Sequence, residues 1–143
     1  MASITGANAV IMITVTGLFP IPQQLQGFAA DDVFDTDPLE SAEVLMGVDR
    51  KLSGGFVAVP VRQNYHLQAD SVSIDIFDQW WAVQQQFGEV FTANGIVLMP
   101  AVSKKWTMTK GFLTAYKPIP STKKLLQPQT FAITWESIQP AVV

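Results

Sequence analysis

The chain has 143 residues, enough for one domain of ordinary size and one core. With 48% apolar residues, 15% charged residues and a mean hydropathy of +0.23, it is greasier than an ordinary soluble domain, so it must bury surface in a membrane or against other chains. Its net charge is -3, and it has no cysteine, which excludes disulfides, thiolate nucleophiles and zinc sites built on cysteine.

Met1 to Gly6 carry no basic residue ahead of the first apolar stretch, so no export signal is expected. The best candidate for a membrane span, Ala9 to Pro22, is interrupted by Thr14, Thr16, Gly17, Pro20 and Pro22 and falls short of the roughly 18 apolar residues a span needs. Stable membrane insertion is therefore not expected, and burial between copies of the chain is. Within that stretch Ala9 to Val15 reads as a strand that is apolar on both faces. The segment from Phe19 to Gly55 is broken by Pro20, Pro22, Pro38, an acid cluster and Gly54-Gly55. It reads as a projecting loop or hairpin over about 31–55, with Glu43 to Val48 as one strand of a hairpin closing around Asp49 to Gly55.

Phe56 to Val61 reads as a strand whose Pro60 places it at an edge or bulge. Val72, Ile74 and Ile76 alternate with Ser71, Ser73 and Asp75, the period of a half-buried strand. A helix follows over about 78–88, with Asp78 as N-cap, Gly88 past its C-terminus, and Trp80, Val83 and Phe87 as the face that packs on a sheet. Trp81 is assigned to the outer face. Ile96 to Val102, Trp106 to Tyr116 and Thr130 to Glu136 read as further strands, with Gly111 marking a kink or bulge. The turn-rich segment Lys117 to Gln129 separates the last two. The fold class is mainly β: an antiparallel barrel or sandwich with one flanking helix, in a single domain spanning 1–143.

Catalytic chemistry is poorly provided for. His66 is the one histidine, no serine sits in a Gly-x-Ser-x-Gly elbow, and no Gly-rich phosphate loop opens a helix. The close acids Asp31, Asp32, Asp35 and Asp37 lack the glycine and terminal glutamate of an EF-hand loop, so an acidic solvated loop is the better reading than calcium. No cofactor or metal is expected. Lys104, Lys105 and Trp106 come nearest to a nucleic-acid patch, in a chain whose balance is acidic.

Charge is segregated along the sequence. Residues 1–50 hold seven acids (Asp31, Asp32, Asp35, Asp37, Glu40, Glu43, Asp49) against Arg50, and residues 104–143 hold six lysines against Glu136. Both ends are either solvated loops or surfaces that meet head-to-tail between copies.

Several stretches of the second half are specific: Ser73-Ile-Asp-Ile-Phe-Asp-Gln-Trp-Trp81, Gly88-Glu-Val-Phe-Thr-Ala-Asn-Gly95, Lys104-Lys-Trp-Thr-Met-Thr-Lys-Gly111, Tyr116-Lys-Pro-Ile-Pro120 and Leu126-Gln-Pro-Gln-Thr-Phe-Ala-Ile-Thr-Trp135. In text and order these resemble tail tube proteins of contractile-tailed bacteriophages, a family related to the inner tubes of contractile injection and secretion systems. The resemblance implies a structural, non-enzymatic subunit that forms six-membered rings stacked head-to-tail into a hollow tube. Implied partners are other copies of the chain, the tail sheath protein, the baseplate or tube initiator, the tape measure and tail terminator proteins, and double-stranded DNA passing non-specifically through the lumen. The implied location is the virion tail, assembled in the host bacterial cytoplasm. DNA that must slide is best served by a polar to acidic bore with the C-terminal lysines engaged elsewhere. Inter-ring contacts are accordingly expected between Asp31, Asp32, Asp35, Asp37, Glu40 and Glu43 on one ring and Lys123 and Lys124 on the next. A ligand-binding β-sandwich with Trp80, Trp81, Trp106 or Trp135 as a stacking platform, and a ring protein of a secretion apparatus, stay open as alternatives.

Overall fold

A computed structural model describes residues 9–28 and 33–142. Asp31 and Asp32 lie outside the described residues. The described chain holds nine strands and one α-helix: β1 (Val10–Val15), β2 (Phe19–Gln24), β3 (Phe34–Thr36), β4 (Ala42–Met46), β5 (Leu52–Phe56), β6 (Val61–Leu67), α1 (Ile74–Phe87), β7 (Ala93–Met99), β8 (Lys104–Ala115) and β9 (Gln129–Val142). Seven strands form one antiparallel sheet in the order β2-β1-β7-β8-β9-β6-β3, and β4 and β5 form a hairpin of their own. The mainly β, antiparallel, one-helix class expected from the sequence is what is found.

The sheet curls. After β2 the chain keeps one bond to β1, Leu25 N–H to the Ile11 carbonyl at 2.9 Å, then crosses to the far side, where Phe28 bridges Leu67 and Gln68 N–H reaches the Gly27 carbonyl at 2.8 Å. β2 and β3 are the edge strands and are not paired with each other, so the sheet does not close into a barrel among the described residues. Pro20 and Pro22 lie in β2, where the missing N–H groups face no neighbouring strand.

Inward-facing residues alternate as the pleat demands: Ile11, Ile13 and Val15 on β1, Val61, Tyr65 and Leu67 on β6, Phe131, Ile133 and Trp135 on β9. Where β8 and β9 pair, the inward set steps from Met108 to Gly111 and from Trp135 to Ile138, three residues where a flat strand takes two. Both strands twist through that point, and Lys110 there adopts φ 48°. The irregularity expected at Gly111 is present, and β7 opposite shifts register between Ala93 and Gly95.

α1 closes one end of the curled sheet. Ile74, Phe77 and Trp80 are its buried residues, and the Phe77 ring stacks on Phe131 with centroids 4.5 Å apart and planes 4° apart. The helix begins four residues before the expected Asp78, with Ser73 as N-cap, because the Ser73 hydroxyl accepts a 2.6 Å bond from Gln26 N–H and is fixed there by tertiary contact. The strand expected over 71–76 is thus a turn and the first turn of the helix. Asp78 lies inside α1 and accepts a hydrogen bond from the Tyr116 hydroxyl. Gly88 ends the helix in the left-handed region at φ 67°, its N–H bonded to the Gln84 carbonyl.

Two further expectations are corrected. Phe56 to Val61 is not one strand: Phe56 ends β5, Val61 begins β6, and Pro60 between them has no N–H to give a ladder. The loop expected to project over 31–55 is only partly a projection, since Phe34–Thr36 is a sheet strand paired with Tyr65, Asn64 and Gln63.

Candidate assembly surfaces

The helix face differs from expectation. Trp80 is fully buried and Val83 is half-buried, but Phe87 is 64% exposed and meets Phe91 edge-on at 6.3 Å rather than the core. The three-residue step Ile74, Phe77, Trp80 carries the packing instead, because the helix starts earlier. On the outer side, Trp81 stacks on Tyr116 with centroids 5.1 Å apart. Burial, reinforced by the hydrogen bond to Asp78 and its negative charge, pushes the Tyr116 phenol up to about 12.

The outward face of β6, β8 and β9 carries a set of polar side-chain contacts, while Met12 on β1 and Ile96 on β7 are exposed. Arg62 Nε donates to Asn64 Oδ1 at 3.3 Å, and Asn64 Nδ2 lies 3.5 Å from Asp37 Oδ1. His66 meets Thr130 through Nδ1 at 3.3 Å and Asp35 through Nε2 at 3.5 Å. Thr114 pairs with Thr134 at 3.0 Å and Thr109 with Ser137 at 2.7 Å. Asp35 and Asp37 therefore sit on or beside this face, held by β6, and not in a free loop.

Glu40 is exposed on the segment that leads into the β4–β5 hairpin, Glu43 is exposed on β4, and Lys123 and Lys124 are exposed in the β8–β9 connection. No ion pair among the described residues joins these acids to these lysines. Their placement follows from the ladder: β6 and β9 pair from Val61↔Trp135 to Leu67↔Gln129. The hairpin joins the sheet at the Val61 end and the lysine loop at the Gln129 end. The acidic and basic segments thus leave opposite ends of one ladder.

Two apolar surfaces went unrecognised in the sequence. The first is the β4–β5 hairpin, whose strands are exposed throughout. The period-two pattern Ala42, Val44, Met46 and Leu52, Gly54, Phe56 was the signal for it. The second is a groove of about 420 Å³ at the end of the curled sheet away from α1, walled by Phe34 and Leu39 on one side and by Met99, Trp106, Ile138 and Pro140 on the other. No local pattern announces it, since its walls come from strands distant in sequence. Among the described residues no cluster of three or more His, Asp or Glu is placed to hold a metal ion, and no helix is long and apolar enough to cross a membrane.

The family model described as "Tail fiber protein gp32" matches residues 2–139. No curated protein matches the chain. Among solved structures, a chain of the anti-feeding prophage baseplate has the same fold with a TM-score of 0.62 at 10% identity, over 100% of this chain and 99% of that one. A chain from the sheath/tube terminator of the extracellular contractile injection system PVC gives 0.61 at 10% identity over 99% of each chain. One from the PVC sheath-tube complex gives 0.56 at 12% identity, over 93% of this chain and 88% of that one.

Proposed function

The chain belongs to the tail fiber protein gp32 family, and from that premise we propose that it is a non-catalytic structural subunit of a contractile phage tail, the repeating unit of the tail tube. In this reading the single domain of residues 1–143 forms six-membered rings that stack head-to-tail inside the sheath, and the hollow tube conducts DNA into the host. It acts in the virion tail, after assembly in the host cytoplasm, alongside sheath, baseplate and terminator proteins.

The observation that carries the reading is the opposition of Glu40 and Glu43 to Lys123 and Lys124 across the β6–β9 ladder. A subunit that stacks by translation along an axis needs complementary surfaces at its two ends, and such a contact repeats without closing. Chains of this fold occur in a sheath-tube complex, a tube terminator and a baseplate, which supports a ring-forming role. Asp35 and Asp37, tied to His66 and Asn64, are the weaker candidates for inter-ring contact, and Glu40 and Glu43 the stronger.

The family description favours a second reading, a subunit of a tail fibre. Electron microscopy of the purified full-length protein separates the two: hollow tubes or stackable six-fold rings are expected, and thin solid fibres would overturn the tube reading. Single rings that never stack would point to a terminator or baseplate ring.

A further inference from the structure

One face of the β4–β5 hairpin is wholly apolar. In the register Ala42↔Phe56, Val44↔Gly54 and Met46↔Leu52, every residue on that face is apolar, while the other face is mixed, with Glu43, Gly55 and Ser53 beside an exposed Leu45. The large members of the apolar face are bare: Val44 is 60% exposed, Met46 65%, Leu52 57% and Phe56 83%. A lone two-stranded hairpin is at best marginally stable in water, and a contiguous exposed apolar face marks a contact with another surface.

The groove between Phe34 and Trp106 offers a surface of matching character. Its lining is almost wholly apolar, and its volume of about 420 Å³ is enough to take several large side chains. Leu39 forms part of the groove wall three residues before β4, yet no residue of the hairpin enters it. Val44 lies about 17 Å of extended chain beyond Leu39, so the hairpin starts at its own groove and leaves it empty.

Lys104 pairs with Met99 of the groove wall and stands on the face of β8 that carries Trp106. Glu43 lies on the hairpin face turned away from the apolar one, which leaves it and Glu40 at the hairpin root to the inter-ring contact proposed above.

We infer that the apolar face of the β4–β5 hairpin of one copy docks in the Phe34–Trp106 groove of a second copy. The inference rests on the reading of this chain as a self-assembling ring or tube subunit, and names the contact by which copies join. It is heterologous: each copy that gives its hairpin keeps its groove for the next, so the contact propagates.

The absence of cysteine makes the test direct. Full-length Val44→Cys and Ile138→Cys proteins, mixed under oxidising conditions, are expected to form a disulfide-linked pair. Val44→Cys mixed with Val90→Cys, exposed in the turn after α1, is expected to give less than a tenth as much. In parallel, Val44→Glu/Met46→Glu, both outside the core, should melt at the wild-type temperature and associate at least tenfold more weakly by sedimentation. Assemblies that form with neither the Val44–Ile138 disulfide nor any loss in the glutamate variant overturn the inference and leave the tube reading standing. A disulfide equally frequent at Val90→Cys overturns it as well. A wild-type chain that stays monomeric at all concentrations overturns both.

Discussion

The indole of Trp135 lies across two glycines, Gly111 on β8 and Gly95 on β7. A Cβ built on Gly111 would stand 2.6 Å from Trp135 Cζ3 and 2.8 Å from Ile133 Cγ2, and one on Gly95 would stand 3.1 Å from Trp135 Cη2 and 2.8 Å from Met108 Cε. Gly111 pairs directly with Trp135, so the missing side chain is what lets a ring this large lie flat in the core. Gly111→Ala should therefore overpack the site and cost about 1–3 kcal/mol. Urea unfolding of the variant checks this; an unchanged midpoint would mean that the ring has room to move.

Trp80 and Phe87 share a helix and should respond very unequally to truncation. Trp80→Ala removes a fully buried indole and is expected to cost about 3–5 kcal/mol. Phe87→Ala removes a ring that is mostly in water and should cost under about 1 kcal/mol. The pair measured side by side by thermal or urea denaturation tests the face assigned to α1.

Tyr116 gives a pH dependence with a definite sign. Its phenol is raised from 10.0 to about 12 in the folded protein, so the neutral form is favoured there. A raised pKa contributes stability that is complete below the unfolded value and is lost as pH climbs through the folded one. Melting temperature should fall between about pH 10 and pH 12, and Tyr116→Phe should lose less over that window than wild type. Burial pushes Tyr65 upward as well, so the variant should flatten the decline without abolishing it.

Reversing Lys123 and Lys124 to Glu should leave the subunit folded, since both are exposed and outside the strands. Tube growth should be impaired. One exposed ion pair is weak, but in the proposed tube the contact would repeat around every ring. Glu40→Lys/Glu43→Lys should partly restore length in the reversed background. Tube lengths by microscopy decide it, and normal tubes from the lysine-reversed protein would remove these charges from the stacking interface.

Strands rich in apolar and β-branched residues were legible in the sequence. β1, β7, β8 and β9 follow from their Val, Ile, Trp and Thr content, and the β4–β5 hairpin from its glycines and turn residues. The start of α1 was not legible, because Ser71, Ser73 and Asp75 alternate with apolar residues in a way that imitates a strand; what decides the matter is the bond from Gln26 N–H to the Ser73 hydroxyl, 47 residues away in sequence. β6 was obscured by its polar members. Gln63 is nonetheless buried, accepting a bond from the Tyr65 hydroxyl and donating one to Thr36 Oγ1 at 3.2 Å. The charged segments were visible as text, but only the sheet order reveals that they leave opposite ends of one ladder. The groove was invisible for the same reason, its walls being assembled from β3, β7, β8 and β9.

The order of strands has a kinetic consequence. β9 is the last strand described along the chain, yet it lies between β8 and β6 and joins the two parts of the sheet. While residues 129–142 are still inside the ribosome, β2-β1-β7-β8 and β6-β3 have no strand between them, and the groove lacks Ile138 and Pro140. Pairings of this sequence separation form slowly. In the assembly proposed above, a nascent chain would offer no finished docking surface to its neighbours on the same message until β9 had been synthesised.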